Sequence, residues 1–446
     1  MDYVLKNKDE VVLEFGVESH TQIQRGVLLE SESLENIILH NDKALPIYFK
    51  KEDLKTSLLS FIKNRKAPSH RAFIKKLIAT YNNGEEKLMD YVNVSLALSL
   101  NDSFWITPKD KDYKWKDYNL YTNDFNEALA LVAFGIKTER IEGITSSPEF
   151  TTNGMLRKCW HKDESGIYLY KSSANVKDES YGGKEAYAEY YMAQIASLMN
   201  FTHISYDLKE FHNQIISSCP IFTNENEGFV PIYFYLDNKK LKGLDLDNKK
   251  LKGLDLVKEL EKTYDEDKLQ DLLVFDALIA NKDRHLGNFG MIVDNNTGKL
   301  LRVAPIFDNG YSMMNLLYKE DLSHIDTTLN STMSYLEFSF DTQLKLFIQP
   351  RHAENLEKLK HFTFKRHAKY NLSEEWLKPI ESFIQQRATK ALEFIKEKEA
   401  LEEQTKIHQA EADLRAKEQR SDILETSSSE SLKEITNAHA NRVRKR

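Results

Sequence analysis

The sequence predicts an α+β fold, with strands gathered in its middle and helices towards its end, preceded by an extra amino-terminal module. Two hairpin patterns and one long helical pattern carry that expectation. Gly154-Met155-Leu156-Arg157-Lys158-Cys159-Trp160 and Gly166-Ile167-Tyr168-Leu169-Tyr170-Lys171 read as two strands around a turn. Phe289 to Val293 and Leu300 to Val303 read as a second pair, joined by the hairpin chemistry of Asp294-Asn295-Asn296-Thr297-Gly298. From about Leu316 to Lys398 the pattern is mainly helical, including Glu374 to Glu399.

A chain of 446 residues has room for two or three domains and their tails. Hydrophobic residues make up 41% and charged residues 29%, with no apolar run near the length of a membrane span, which predicts a soluble, globular protein. Met1-Asp2-Tyr3-Val4-Leu5-Lys6 lacks the basic-then-apolar order of a signal peptide. Cys159 and Cys219 are the only cysteines, too few for a disulfide framework, and no Cys or His cluster has zinc-ligand spacing. A reducing cytoplasm is the expected setting. The net charge of -7 argues against non-specific nucleic-acid binding, and no amphipathic helix suited to a membrane surface is present.

Residues 1–140 mix helical stretches such as Arg71 to Tyr81 with a polar stretch at Pro108 to Asp117, and carry no recognisable chemistry. Trp105 and Trp115 read as packing residues. This region is expected to be a separate module of unknown function. Lys184 to Asn200 is expected to be helical, with Tyr187, Tyr191, Ile195 and Leu198 on its apolar side, as is Asp267 to Ala280. Between them a decapeptide, Leu-Asp-Asn-Lys-Lys-Leu-Lys-Gly-Leu-Asp, is written twice in tandem at 236–245 and 246–255, so that 236–258 reads as a tolerant surface loop; a basic docking strip is the functional alternative. Beyond Phe394 there is no Gly, Pro or aromatic residue, and 396–446 reads as a charged helix fraying into disorder.

The chemistry lies in Asn281-Lys282-Asp283-Arg284-His285-Leu286-Gly287-Asn288. Phosphoryl transfer requires phosphates to be held, a metal ligated and an attacking hydroxyl oriented; kinases place the orienting Asp and a metal-binding Asn five positions apart on one loop. Asp283 and Asn288 have that spacing. A second carboxylate is needed for Mg2+, a hard cation that prefers oxygen, and Asp308 follows the second hairpin where that ligand belongs. Its neighbours are Phe307-Asp308-Asn309-Gly310, with Phe before the Asp rather than after it, which counts against regulation by an Asp-Phe-Gly flip. Lys171 ends a strand on the same face as Ile167 and Leu169, and the helix after it offers Glu189, with Glu185 competing, as the carboxylate that positions a phosphate-binding lysine. Thr151-Thr152-Asn153-Gly154 with Lys158 is the only candidate phosphate loop, and no GxGxxG accompanies it. His285 and Arg284 read as supports within the loop.

Phe275 to Gly290, Ala304-Pro305-Ile306-Phe307-Asp308-Asn309-Gly310 and Glu185-Ala186-Tyr187-Ala188-Glu189-Tyr190-Tyr191 together resemble the HipA-like serine/threonine protein kinases, in particular the stand-alone bacterial type, over about residues 145–395. The resemblance implies a bilobal protein-kinase-like fold, with 145–235 as the smaller lobe and 259–395 as the mainly helical one. It implies ATP and Mg2+, a protein substrate and autophosphorylation, for which Thr151 and Thr152 are candidates. Asp283 would be the catalytic base, Asn288 and Asp308 the metal ligands, and Lys171 with Glu189 the phosphate-binding pair. Gly154 would belong to the phosphate loop, and Phe222 to the hinge that meets adenine. Residues 1–140 do not resemble the small domain with which toxin members bind their antitoxin, so that role is not carried over; some stand-alone members are secreted effectors. A lipid or small-molecule kinase, which shares Asp-Arg-His-x-x-Asn, and a catalytically silent kinase-fold binding protein are the competing expectations.

Overall fold

A computed structural model describes residues 1–24, 27–65, 87–134, 136, 147–152, 156–174, 182–236 and 251–443. Arg71 to Tyr81, Gly154, most of the tandem decapeptide and 444–446 lie outside them. The described chain is a mixed α/β protein with three antiparallel sheets and many helices.

The first sheet adds four strands to the helical stretches expected of the amino-terminal region. Strands β1 (Asp2–Asn7), β2 (Glu10–Gln24), β3 (Val27–Leu39) and β4 (Phe104–Pro108) lie in the order β3-β2-β1-β4. Their signal is weak in the sequence because β1 and β4 are covered on both faces, which erases the apolar alternation of a half-buried strand. Helix α1 (Leu54–Asn64) packs on this sheet. Asp53 caps it by accepting from the Thr56 N–H at 3.1 Å, and Leu58, Phe61 and Ile62 supply the buried stripe that i, i+3, i+4 spacing creates. Trp105 and Trp115 are buried and meet edge-on at 5.8 Å, as packing residues do.

This region is joined to the rest by specific bonds. The Asn7 amide donates to the Asn295 carbonyl at 2.6 Å, the Trp115 indole to Glu225 at 2.8 Å, and the Phe229 N–H to the Asn101 carbonyl at 2.7 Å. Tyr48 stacks on Phe234 with ring centroids 4.0 Å apart.

Strands β5 (Lys158–Asp163) and β6 (Gly166–Ser172) form the first expected hairpin and join β7 (Asp207–Phe211) and β8 (Gln214–Pro220) in the order β5-β6-β8-β7. Helix α2 (Glu185–Leu198) packs across β8 and buries Tyr191 and Ile195 completely. Strands β9 (Glu227–Pro231), β10 (Gly290–Asp294) and β11 (Leu300–Val303) make the third sheet, with β10 in the middle and the expected β10–β11 hairpin at its edge. Gly290 fits there because a side chain would not: an added Cβ would lie 2.2 Å from the Val230 carbonyl oxygen.

Where the sequence suggests a loop through 258, helix α3 (Gly253–Leu260) begins inside the second decapeptide. Leu256, Val257 and Leu260 form its buried stripe, and burial of that stripe overrides the loop-like lysine pattern. Helix α4 (Glu266–Ile279) is the centre of the largest apolar core, with Leu269, Leu272, Phe275 and Leu278 among its buried residues. Helix α5 (Phe340–Phe347) and the first turns of α6 (Glu374–Val443) cover it. Helix α6 continues to Val443. Trp376, Ile384 and Ile395 anchor it in the core, whereas Leu401, Ile407 and Leu414 are exposed. Its outer part is rich in Glu, Lys, Gln and Ala, which favour helix even without a packed face.

Candidate active site

The site grows from the end of α4. Ala280 takes the left-handed conformation that terminates the helix, with φ at 51°. The Asn281 N–H then returns to the Asp276 carbonyl at 2.9 Å. From there 281–288 folds on itself through short local bonds. The Asn281 side chain accepts from the Asp283 N–H at 3.1 Å, the Asn288 amide donates to the Asp283 carbonyl at 2.8 Å, and the His285 ring accepts from the Gly287 N–H at 3.0 Å. His285 is thus engaged in supporting the loop, as the sequence suggests. Asp283 is exposed at the surface of the loop, and Asn288 is buried beneath it.

Arg284 ties this loop to its surroundings. Its Nε lies 3.0 Å from Asp276 Oδ2 and its Nη2 lies 3.0 Å from Asp276 Oδ1, both side chains being buried. The same guanidinium donates to the Asn288 carbonyl at 3.2 Å, to the Asn309 side chain at 2.9 Å, and to the Phe307 carbonyl. Asp276 therefore orients Arg284, and Arg284 places the segment carrying Asp308 against the loop carrying Asp283.

Asp308 stands at φ 59°, a left-handed conformation that Asp tolerates better than most residues. Its N–H donates to the Tyr206 hydroxyl at 3.0 Å, and the preceding Ile306 forms a parallel bridge with His203. Phe307 turns into an aromatic cluster with Phe222 and Phe229, at centroid separations of 5.3 and 5.4 Å.

Lys171, at the end of β6, is buried and makes ion pairs with both Glu189, at 2.7 Å, and Asp308. Glu189 also accepts from the Asn309 N–H at 3.0 Å, whereas Glu185 accepts from the Ala174 N–H instead. Of the two carboxylates open in the sequence, the structure pairs Glu189 with the lysine. Burial opposes ionisation of Asp308, but the positive charges of Lys171 and Lys158 outweigh it and hold this carboxyl well below the usual carboxylate range. Burial likewise opposes the charged form of Lys171, and Asp308 and Glu189 reverse that effect and push its pKa up. At Asp283 burial raises the pKa, with Asp308 adding to it, against the opposing pull of His285 and Lys171.

Lys171, Glu189 and Asp308 line a cleft together with Leu169, Lys158 and Phe222. Phe222 thus lines the cleft. Thr151 and Thr152 line it too, but Thr151 is buried and donates to the Leu98 carbonyl at 2.8 Å, and Thr152 donates to the Pro148 carbonyl at 2.6 Å. Gly154 lies outside the described residues, so no glycine of a phosphate loop is placed.

No protein-family profile matches the chain, and no curated protein matches its sequence. Two solved kinase-related structures resemble its fold. The crystal structure of the Helicobacter pylori proinflammatory kinase CtkA is 18% identical, with a TM-score of 0.42, over 55% of this chain and 91% of that one. The HipA, HipB and operator DNA complex of the Shewanella oneidensis MR-1 toxin–antitoxin system gives 11% identity and a TM-score of 0.49, over 89% of this chain and 98% of the matched one.

Several site residues escaped the sequence reading. Ser99, Leu100 and Asn101 of the amino-terminal region line the cleft, and the Thr223 hydroxyl donates to the Leu100 carbonyl at 2.5 Å. Nothing local marks Leu100 and Asn101, because they act through backbone carbonyls. Tyr206 was equally silent. Asp276 had one available signal, a lone carboxylate within the apolar run Leu272 to Ile279, which demands a buried partner.

Replacing Asp276 by Asn leaves Arg284 charged and buried without its counter-charge, and we expect a loss of about 3–5 kcal/mol of stability. Urea denaturation of the two proteins measures it; an unchanged midpoint and slope would show that the pair does not organise this region.

Proposed function

We propose that the chain is an ATP- and Mg2+-dependent phosphotransferase acting on protein serine or threonine. The observation that carries the proposal is the junction at Lys171: one ammonium held between Glu189 and Asp308 inside a cleft, with Asp308 tied through Arg284 to the loop of Asp283 and Asn288. We read the β5–β8 sheet with α2 as the smaller lobe, the helical region around α4 as the larger lobe, and residues 1–140 as a buttress to both.

The residues fit a magnesium nucleotide. Asp308 is kept ionised by its surroundings, and the Asn288 amide nitrogen is committed to the Asp283 carbonyl, which leaves its oxygen as the donor atom. Two hard oxygen donors are what Mg2+ takes from a protein when phosphates and water complete its shell. Bound there, the metal would neutralise charge on the phosphates.

The chain's own residues supply the rest. Lys171 binds phosphate oxygens, and Glu189 keeps its ammonium directed into the cleft. Phe222 and Leu169 offer apolar walls to the adenine ring. Asp283, exposed on its loop, orients the acceptor hydroxyl and accepts its proton as the oxygen attacks phosphorus. Its raised pKa makes it a better base than an ordinary aspartate.

Incubation with magnesium and ATP, followed by mass spectrometry, tests the proposal directly. Added phosphate on this chain or on proteins of an extract is expected; label confined to lipid vesicles would overturn the protein-kinase reading. Asp308→Asn should lower transfer to background while the protein stays folded. Asp283→Asn should reduce kcat by about 10²–10⁴-fold, the usual contribution of a positioned base. The pH profile follows from the same residue: protonating Asp283 removes the base, so kcat/KM should fall with pH along a limb centred above the ordinary aspartate value of 3.8, while Asp308 stays ionised. A limb centred at or below that value would count against Asp283 as the base.

A further inference from the structure

Beside the catalytic loop lies a second, larger depression. It has a volume of about 940 Å3, against about 190 Å3 for the nucleotide cleft, and the two share Pro231 and Gly287 in their walls. They therefore adjoin at the loop that carries Asp283. Lys282 and His285, which flank Asp283 in sequence, line the depression at this end. The Tyr335 ring meets the His285 ring at a centroid distance of 6.5 Å.

Away from the loop its lining turns apolar, with Leu251, Leu256, Tyr233, Met333 and Tyr335. Met333 is 48% exposed and Tyr335 39%, which is unusual for large apolar groups clustered on one surface. The rim is charged: Lys252 forms an ion pair with Glu337, and Lys282 adds one further positive charge. An apolar floor within a polar rim suits a peptide, whose side chain fills the floor while its backbone stays near the surface. A membrane surface or an anionic small molecule would instead call for several unmatched cations.

We propose that this groove is the substrate subsite that selects protein segments with a large apolar side chain close to the phosphoacceptor serine or threonine. The inference rests on the phosphotransferase reading and adds a specificity to it. An extended chain advances about 3.3–3.6 Å per residue, so a hydroxyl held at Asp283 puts the neighbours within about three positions over the groove.

The test is a positional-scanning library of peptides around a fixed serine or threonine, phosphorylated by the full chain with magnesium and ATP. Leu, Ile, Met or Phe should be selected at one or two positions within three residues of the acceptor. Met333→Glu should reduce that selection about tenfold or more, the scale at which an apolar pocket discriminates. Met333→Leu should restore it, and both variants should keep the parent's circular dichroism spectrum. Direct binding of the best peptide, read by fluorescence polarisation without nucleotide, should weaken in Met333→Glu alone. Selection that is absent, or that survives Met333→Glu, overturns the proposal, as does a chain that autophosphorylates but phosphorylates no peptide. A dimer that Met333→Glu dissociates would assign the groove to a second copy instead and overturn it as well. If the parent chain transfers phosphate to nothing at all, the phosphotransferase reading itself has failed, and the subsite falls with it.

Discussion

The buried ion pair between Asp276 and Arg284 is the constraint on which the site depends. Such a pair contributes little net stability, because taking two charges out of water costs nearly as much as their attraction returns. What it supplies here is position. Asp276 is fixed by a helix packed on every side, and its carboxylate holds the guanidinium by two nitrogens. The remaining donors of Arg284 are then aimed at Asn288, Phe307 and Asn309. A lysine could not do this, since its point charge has no fixed fork of donors.

From that centre the charges form a chain of opposite signs. Lys171 separates Glu189 from Asp308, and Lys158 adds a further positive charge on the Asp308 side. Asp308 and Lys171 are each burdened by burial and relieved by the other's charge, so the state of Asp308 is coupled to that of Lys171. Asp283 stands outside the chain, exposed, with its pKa moved in the opposite direction to that of Asp308. Two carboxylates on adjoining segments are thereby set apart, one kept ionised and the other made more basic, which is the division of labour that metal binding and proton transfer require.

The amino-terminal region shows how much a site can owe to residues that carry no chemical signature. Leu96 and Ala97 both stand at positive φ, a conformation that costs about 1–2 kcal/mol per residue. Yet the chain they redirect delivers the carbonyls of Leu98, Leu100 and Asn101 to Thr151, Thr223 and Phe229 around the cleft. The same region, searched for side chains able to do chemistry, offered none.

By itself the sequence determined the spacing of Asp283 and Asn288, the place of Asp308 after a hairpin, the strand bearing Lys171, and the helices α2 and α4. These are local patterns, in which the period of apolar residues and the chemistry of turns act over a few neighbours. Only the tertiary structure decided which glutamate meets Lys171, that Asp276 and Tyr206 hold the site together, that a four-stranded sheet lies among the helices of the amino-terminal region, and that α6 runs on to Val443. Each of those outcomes turns on burial and on partners distant in the chain. A strand covered on both faces loses its alternation, and a backbone carbonyl looks the same at every residue, so neither announces its role until the chain has folded around it.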